Sequence, residues 1–342
     1  ANEISKDSAF VGDYIRTIKE LSKKANTFTL ACDYDVEGEL IGLNALRFAC
    51  KQKDAQRMKF STLTKPDLVE AYENKSKTID WGQANAGETR HKLDWFYGIN
   101  LSRALTASIK AANSFKVMSI GRVQGPALKM IVDLEKEIQA FKPVPFWQIQ
   151  LIANAKKKAR ASADSKLHAK PEDFEAWHVE DKFWKKDQAQ SVFDKVKKEK
   201  KAKVLEVKRS QYNQSAPYPF DLTTLQTESY AHHKINPKET LAIAQDLYIA
   251  GLISYPRTSS QQLTPKLGYK SILTQLSHQQ NYKPLCDALL KQPKLEPNNG
   301  KKTDPAHPAI FPTGTTPKSL NPRQQKVYDL IAKRFMATFG PD

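Results

Sequence analysis

A tyrosine and an arginine flank a proline in Leu252-Ile253-Ser254-Tyr255-Pro256-Arg257-Thr258-Ser259-Ser260. The residue before a proline is pushed out of the α region into extended backbone. Side chains two apart then share a face. Tyr255 and Arg257 are therefore expected to present a phenol and a guanidinium to one side, within reach of a single phosphate. A tyrosine is a poor nucleophile at its free pKa of roughly 10. A neighbouring guanidinium favours the phenolate and can clamp a phosphate oxygen through paired donors. Taken alone, the stretch also reads as an ordinary turn on a folded surface.

A second chemistry-bearing stretch is Asp33-Tyr34-Asp35-Val36-Glu37-Gly38-Glu39, with four carboxylates in seven residues. Carboxylates this dense repel one another and are best explained by a hard cation, Mg²⁺, held through oxygen ligands. An EF-hand loop matches the first six positions. It fails later, where Ile41 falls on the ninth and Asn44 on the twelfth, which should be a bidentate glutamate. A solvated acidic turn is the plain alternative. Two weaker features join these. Ser119-Ile120-Gly121-Arg122-Val123-Gln124-Gly125-Pro126 opens a helical stripe, where backbone N–H groups at a helix start, Arg122 and Gln124 suit a phosphate. Asp304-Pro305-Ala306-His307-Pro308 fixes a histidine in a proline-framed loop, whereas His232 and His233 read as structural residues within a helix.

The elements that must position these groups follow from periodicity. Phe10, Val11, Tyr14, Ile15, Ile18 and Leu21 predict a helix capped by Asp7 or Ser8. Thr27 to Cys32 predicts a buried strand, and helical spacing resumes from Gly38. This order is a slice of an open α/β sheet with the acids at the carboxyl end of a strand. A helical block follows from about Asp67 to Phe141, with stripes Leu93–Leu105 and Val123–Ile138. Arg90 and Asp94 stand four apart and are expected to pair. Strands are expected at Trp147 to Ala153 and Val204 to Val207. Lysine-rich segments at Lys156 to Arg160 and Lys195 to Lys203 are expected in loops or on solvated faces. Helices resume from Asp221, and Gly251 stops the second of them just before Tyr255.

Composition bounds the partners. The chain has 342 residues, 40% of them hydrophobic, and Lys+Arg 54 against Asp+Glu 37 gives a net charge of +17. Such an excess attracts polyanions and points to nucleic acid. A membrane partner is disfavoured, because no stretch approaches the roughly 20 apolar residues of a spanning helix. Cys32, Cys50 and Cys286 have no CxxC spacing, which argues against a zinc ribbon or a disulfide framework and suits a reducing cytoplasm.

Together these segments resemble a type IA DNA topoisomerase, in wording closest to the archaeal topoisomerase I and topoisomerase III branch. The carriers are ACDYDVEGELIG (31–42), SIGRVQGPAL (119–128), APYPFDLTTLQ (216–226), LISYPRTSS (252–260) and AHPAIFPTG (306–314), in the family's order. The resemblance implies that Tyr255 attacks a phosphodiester of single-stranded DNA, forming a 5′-phosphotyrosyl link, with Arg257 holding the scissile phosphate. It implies that Asp33, Asp35 and Glu37 bind Mg²⁺ as the acidic TOPRIM motif. It also implies that Ser119, Ile120, Gly121, Arg122, Val123 and Gln124 line a single-strand groove, and that His307 meets a DNA phosphate. ATP is not required.

The expected fold is α+β and multidomain, a toroidal core. Residues 1–60 would form a partial α/β TOPRIM domain and 61–146 a helical DNA-groove domain. A β-rich arch segment would follow at 147–209, and 210–342 would be a helical domain carrying Tyr255. The expected partner is the single-stranded segment of negatively supercoiled DNA, bound by a monomer associated with the nucleoid in the cytoplasm. One departure stands out: Glu3 and Lys6 lie in a polar segment with no hydrophobic strand before them, so the family's amino-terminal roles are not carried onto them. The chain is therefore read as the middle of such an enzyme, lacking the first TOPRIM strand and the closing segments. The topoisomerase half of a reverse gyrase and a non-catalytic single-strand-binding module are the alternatives.

Overall fold

A computed structural model describes residues 9–154 and 173–341. Glu3, Lys6, the Asp7 and Ser8 cap and the Lys156 to Arg160 run lie outside the described residues. The chain divides into two compact units, Ala1–Gly121 with Tyr212–Asp342, and Arg122–Gln211.

In the first unit, α1 (Ala9–Ser22) takes the predicted amphipathic span. Strands β1 (Thr29–Leu30) and β2 (Gln56–Arg57) pair in parallel, Thr29 opposite Gln56 and Leu30 opposite Arg57. The strand expected from Thr27 to Cys32 is thus shorter and only partly buried. Beyond Leu30 the carbonyls of Cys32 and Asp33 accept from the Arg57 guanidinium instead of from a neighbouring strand. Helix α2 (Val36–Asn44) runs into a wider turn at Ala45–Cys50. Helices α3 (Lys65–Glu73) and α4 (Trp81–Ala111) follow. Leu30, Leu43, Leu46, Ile79 and Ala84 form a small core between β1, α2 and the start of α4. The stripe expected on α4 from Leu93 to Leu105 is exposed, because periodicity identifies an apolar face without supplying a partner for it.

The same unit holds a larger helical core. Helices α7 (Leu222–His233), α8 (Pro237–Ile249), α9 (Tyr269–Leu276), α10 (Lys283–Leu290) and α11 (Pro322–Ala337) pack around Leu225, Leu247, Leu273, Tyr328, Ile331 and Phe335. Asp221 caps α7 in a capping box with Thr224. His232 and His233 form part of the last turn of α7. Gly251, at φ +71°, lets the chain leave α8 in the left-handed conformation that glycine adopts freely. The following stretch is bridged at Ile253 to Pro312.

In the second unit, α5 (Gln124–Ala140) has its apolar stripe exposed. Strands β3 (Gln150–Asn154) and β4 (Asp173–Trp177) form an antiparallel pair, Gln150 opposite Trp177, and α6 spans Lys186–Val196. The strand expected at Val204 to Val207 does not form. Its side chains are exposed, and no described strand lies beside it to take its backbone groups.

Candidate active site

The acidic stretch crosses from β1 to the start of α2. Asp35 occupies the N-cap, where its Oδ1 accepts from the Gly38 N–H at 2.7 Å. This placement rules out the EF-hand geometry, since Gly38 lies inside a helix rather than at a loop turn. Glycine is required there: a Cβ on Gly38 would sit 2.2 Å from the Asp33 carbonyl oxygen.

The fourth carboxylate, Glu39, has a structural task. Its side chain and that of Arg57 are both 0% exposed, and Arg57 Nε donates to Glu39 Oε2 at 2.7 Å. Glu39 Oε1 accepts from the Asp80 N–H, also at 2.7 Å. Arg57 Nη1 donates to the carbonyls of Cys32 and Met58, and Nη2 to that of Asp33, each at 2.7 Å. A buried arginine on β2 therefore holds the backbone of the acidic loop. Among the acids, Glu39 is removed from any shared cation cluster.

Asp33, Asp35 and Glu37 line one cavity of about 400 Å³ together with Gln245, Tyr255 and Arg257. Each acid also has a partner. Tyr248 Oη donates to Asp33 Oδ1 at 2.9 Å, and Tyr255 Oη donates to Asp35 Oδ2. Glu37 meets Arg90 at 2.8 Å and His91 at 3.3 Å. The expected Arg90–Asp94 pair is present at 4.0 Å, but the shorter contact of Arg90 is to Glu37. Among the described residues no group of three or more His, Cys, Asp or Glu side chains is placed to hold a metal ion. The donor set nevertheless suits one kind of ion. Hard carboxylate oxygens on a single cavity wall fit a cation that keeps several waters and takes one or two carboxylates plus phosphate oxygens, as Mg²⁺ does.

Tyr255 is 2% exposed, and its N–H donates to the Ser61 carbonyl at 2.8 Å. Its ring lies 4.5 Å from that of His307 and 5.3 Å from that of Tyr248. Burial first, then the hydrogen bond and charge of Asp35 and the charge of Asp33, push the phenol far above its ordinary value. Arg257 acts in the opposite sense and is outweighed. Arg257 favours the phenolate, as expected, but its guanidinium is exposed and does not set the balance, because the buried phenol faces carboxylates. Burial, followed by Asp33, raises Tyr248 in the same way.

His307 is 5% exposed, and both ring nitrogens are engaged. Nδ1 lies 3.0 Å from Ser61 Oγ and Nε2 3.1 Å from the Tyr34 carbonyl oxygen. A carbonyl oxygen only accepts, so Nε2 carries the hydrogen. Burial holds the imidazole below its ordinary pKa. Its loop is fixed by Asp304 Oδ1, which accepts from the N–H groups of Ala306 and His307 at 2.9 and 3.1 Å.

The groove segment lies elsewhere. Ser119, Ile120 and Gly121 run along α4, where the Ile120 N–H donates to Ser102 Oγ at 2.9 Å. Ile120 borders an open cleft of about 430 Å³ with His91, Trp95 and Ser102. Arg122, Val123 and Gln124 begin the second unit at the start of α5. Sequence reasoning missed Arg57, Tyr248, Ser61 and the Arg90–Glu37 contact. Arg57 and Lys59 both stand among Ala55, Met58 and Phe60, and nothing in that stretch singled out Arg57. For Tyr248 the signal was a tyrosine on the apolar face of the helix leading to Tyr255.

Two family profiles match this arrangement: "Toprim domain" over residues 6–63 and "DNA topoisomerase" over residues 78–342. The chain belongs to the DNA topoisomerase family. It is 44% identical over 337 residues to DNA topoisomerase 1 of Methanocaldococcus jannaschii, covering 98% of this chain and 42% of the relative. It is also 44% identical over 340 residues to DNA topoisomerase 1 of Pyrococcus horikoshii, with 98% and 47% covered. The structure of full-length topoisomerase I from Thermotoga maritima matches with a TM-score of 0.66 and 26% identity, covering 98% of this chain and 52% of that one. The chain thus spans about half the length of the curated relatives it matches. The archaeal resemblance and the α+β multidomain class expected from sequence are both borne out. A Toprim domain is in general a divalent-metal-binding domain, in keeping with the acids in the cavity. Among the described residues no helix is long and apolar enough to cross a membrane.

Proposed function

We propose that this chain carries the cleavage centre of a type IA topoisomerase, which relaxes negatively supercoiled DNA without ATP. The observation that carries the reading is the Tyr255 phenol in one cavity with Asp33, Asp35, Glu37 and Arg257. Tyr255 Oη attacks the phosphorus of a single-stranded segment, and the P–O3′ bond breaks. Its electron pair stays on O3′, which takes a proton and leaves as a hydroxyl, while phosphorus remains on Tyr255 as a 5′-phosphotyrosyl ester. The hydrogen bond from Tyr255 to Asp35 supports a path for the phenolic proton toward that carboxylate. Arg257, exposed at the cavity, offers guanidinium donors to the non-bridging phosphate oxygens. After strand passage the 3′-hydroxyl attacks the ester, whose retained bond energy removes the need for ATP.

Asp33, Asp35 and Glu37 would hold Mg²⁺, which when bound supplies positive charge near the reacting phosphate. Ser119, Ile120, Gly121, Arg122, Val123, Gln124 and His307 are read as DNA contacts, supported by the net charge of +17. The reading includes a monomer acting on DNA in the cytoplasm. It also keeps the domain limits 1–60, 61–146, 147–209 and 210–342.

The test is a covalent-adduct assay on the intact protein. Labelled single-stranded DNA is incubated with Mg²⁺, the mixture denatured, and a protein-linked label sought. The expected adduct is an alkali-resistant phosphotyrosine linkage that disappears in Tyr255→Phe. An adduct that persists in that variant, or none from the wild type, overturns the reading.

A further inference from the structure

Helix α8 approaches the acidic loop with two polar side chains that no step above employs. Gln245 and Tyr248 are three apart on α8 and so lie on one face. Tyr248 is 1% exposed, and its hydroxyl reaches Asp33 Oδ1 at 2.9 Å, across 215 residues of sequence. Its ring also stands edge-on against Tyr255 at 5.3 Å and 76°. Gln245 lines the cavity of the three acids, and its Oε1 is buried with no hydrogen-bond partner among the described residues.

We propose that α8 supplies the outer half of the cation site, with Tyr248 as a positioning residue for Asp33 and Gln245 as an added acceptor facing the bound ion. The proposal rests on the reading of Asp33, Asp35 and Glu37 as cation ligands. A carboxylate that must bind a cation gains from a fixed donor on its other oxygen, which selects one rotamer and leaves one oxygen free. Tyr248 gives Asp33 that donor. Asp35 differs, since the Gly38 N–H holds Oδ1 and the Tyr255 hydroxyl holds Oδ2. The two aspartates are therefore oriented by different lobes of the unit: Asp35 by its own helix α2, Asp33 by the helix that leads into the nucleophile. An amide carbonyl such as Gln245 Oε1 is a neutral hard acceptor, suited to a hydrogen bond from a cation's water. A buried acceptor with no partner carries a desolvation cost that such a water would relieve.

The test measures Mn²⁺ binding to the intact, DNA-free protein by loss of the free-ion electron paramagnetic resonance signal. Tyr248→Phe is expected to weaken Mn²⁺ binding about tenfold, in line with the loss of partners that orient metal ligands. The Mg²⁺ concentration for half-maximal adduct should rise by a similar factor. Tyr282→Phe serves as the structural control, since it removes another buried phenol–carboxylate bond, to Asp329, outside the site. It is expected to bind Mn²⁺ as the wild type does. Unchanged Mn²⁺ affinity in Tyr248→Phe overturns the inference, as does an equal loss in Tyr282→Phe. Where Tyr248→Phe does not fold, Gln245→Leu decides by the same criterion. A wild type that binds no Mn²⁺ refutes instead the reading of the three acids, and the inference with it.

Discussion

Replacing Arg57 by methionine tests whether the acidic loop is held by a buried charge. The variant keeps much of the side-chain volume but deletes the guanidinium, so Glu39 keeps a buried charge with the Asp80 N–H as its remaining hydrogen bond. Breaking a buried pair from one side costs about 3–5 kcal/mol. Three backbone carbonyls, those of Cys32, Met58 and Asp33, lose 2.7 Å charged donors in the same step. Bonds to charged groups are worth about 1.5–3 kcal/mol each, so relaxation and entering water must offset part of the sum, and 3–5 kcal/mol is the working figure. Glu39→Gln should cost less, toward the lower end of about 3–5 kcal/mol, because Arg57 keeps those carbonyls. The amide oxygen can nevertheless accept from only one of Arg57 Nε and the Asp80 N–H. Native-state hydrogen exchange reads this locally, at the Gln56 and Met58 amides that donate to Phe28 and Leu30. At 1.4 kcal/mol per decade, Arg57→Met should speed exchange there by roughly two to four orders of magnitude. Acceleration below about tenfold would put the pair in the range of a surface salt bridge and refute the reasoning. Equal effects of the two variants would refute the asymmetry.

Gly38→Ala should disrupt the acidic loop, because the added Cβ would meet the Asp33 carbonyl oxygen at 2.2 Å, an atom that Arg57 already holds. Lower adduct yield and weaker Mn²⁺ binding are expected, and wild-type values for both would contradict the packing described. His307 makes stability depend on pH. Its folded pKa is depressed by burial, so between the folded and unfolded values the unfolded chain binds more protons. Its contribution is complete above the unfolded value of about 6.5 and is lost as pH falls below it. Melting temperatures between pH 7.5 and 5 should therefore fall more steeply in the wild type than in His307→Gln, and parallel curves would exclude this origin.

How much of this could be read in the sequence depends on how far apart the partners lie. Asp33 to Gly38 was legible because its chemistry is local: a cap, a close-packed glycine and acids at the end of a short strand. Tyr255 was legible for the same reason, through the proline that keeps it extended. What tunes it was not. Asp35, Tyr248 and His307 reach Tyr255 from 220, 7 and 52 residues away, and no spacing rule links a helix face, a capping aspartate and a proline-framed loop. The sign of the Arg257 effect was legible, but not that it would be outweighed. Proximity in sequence suggested a cation beside the phenol, while the fold buried the phenol against two carboxylates.

Periodicity failed in a related way. It located α1 and α5 to within a few residues and a stripe inside α4, since an apolar repeat of about 3.6 needs no tertiary information. It could not say which stripes are covered. Val327, Ile331 and Phe335 on α11 are buried against the helices around Tyr248, whereas Leu93, Phe96 and Leu101 on α4 are exposed. Both sets carry the same apolar spacing, so the difference lies in what the rest of the fold brings alongside. The Arg57–Glu39 pair makes the converse case. Two residues that composition assigns to the surface are the most deeply buried charges in the acid-bearing lobe, because each completes the other's hydrogen bonds. Charge content therefore pointed toward a polyanion but grouped Glu39 with the other acids, and the pair that fixes the acidic loop is visible only in the fold.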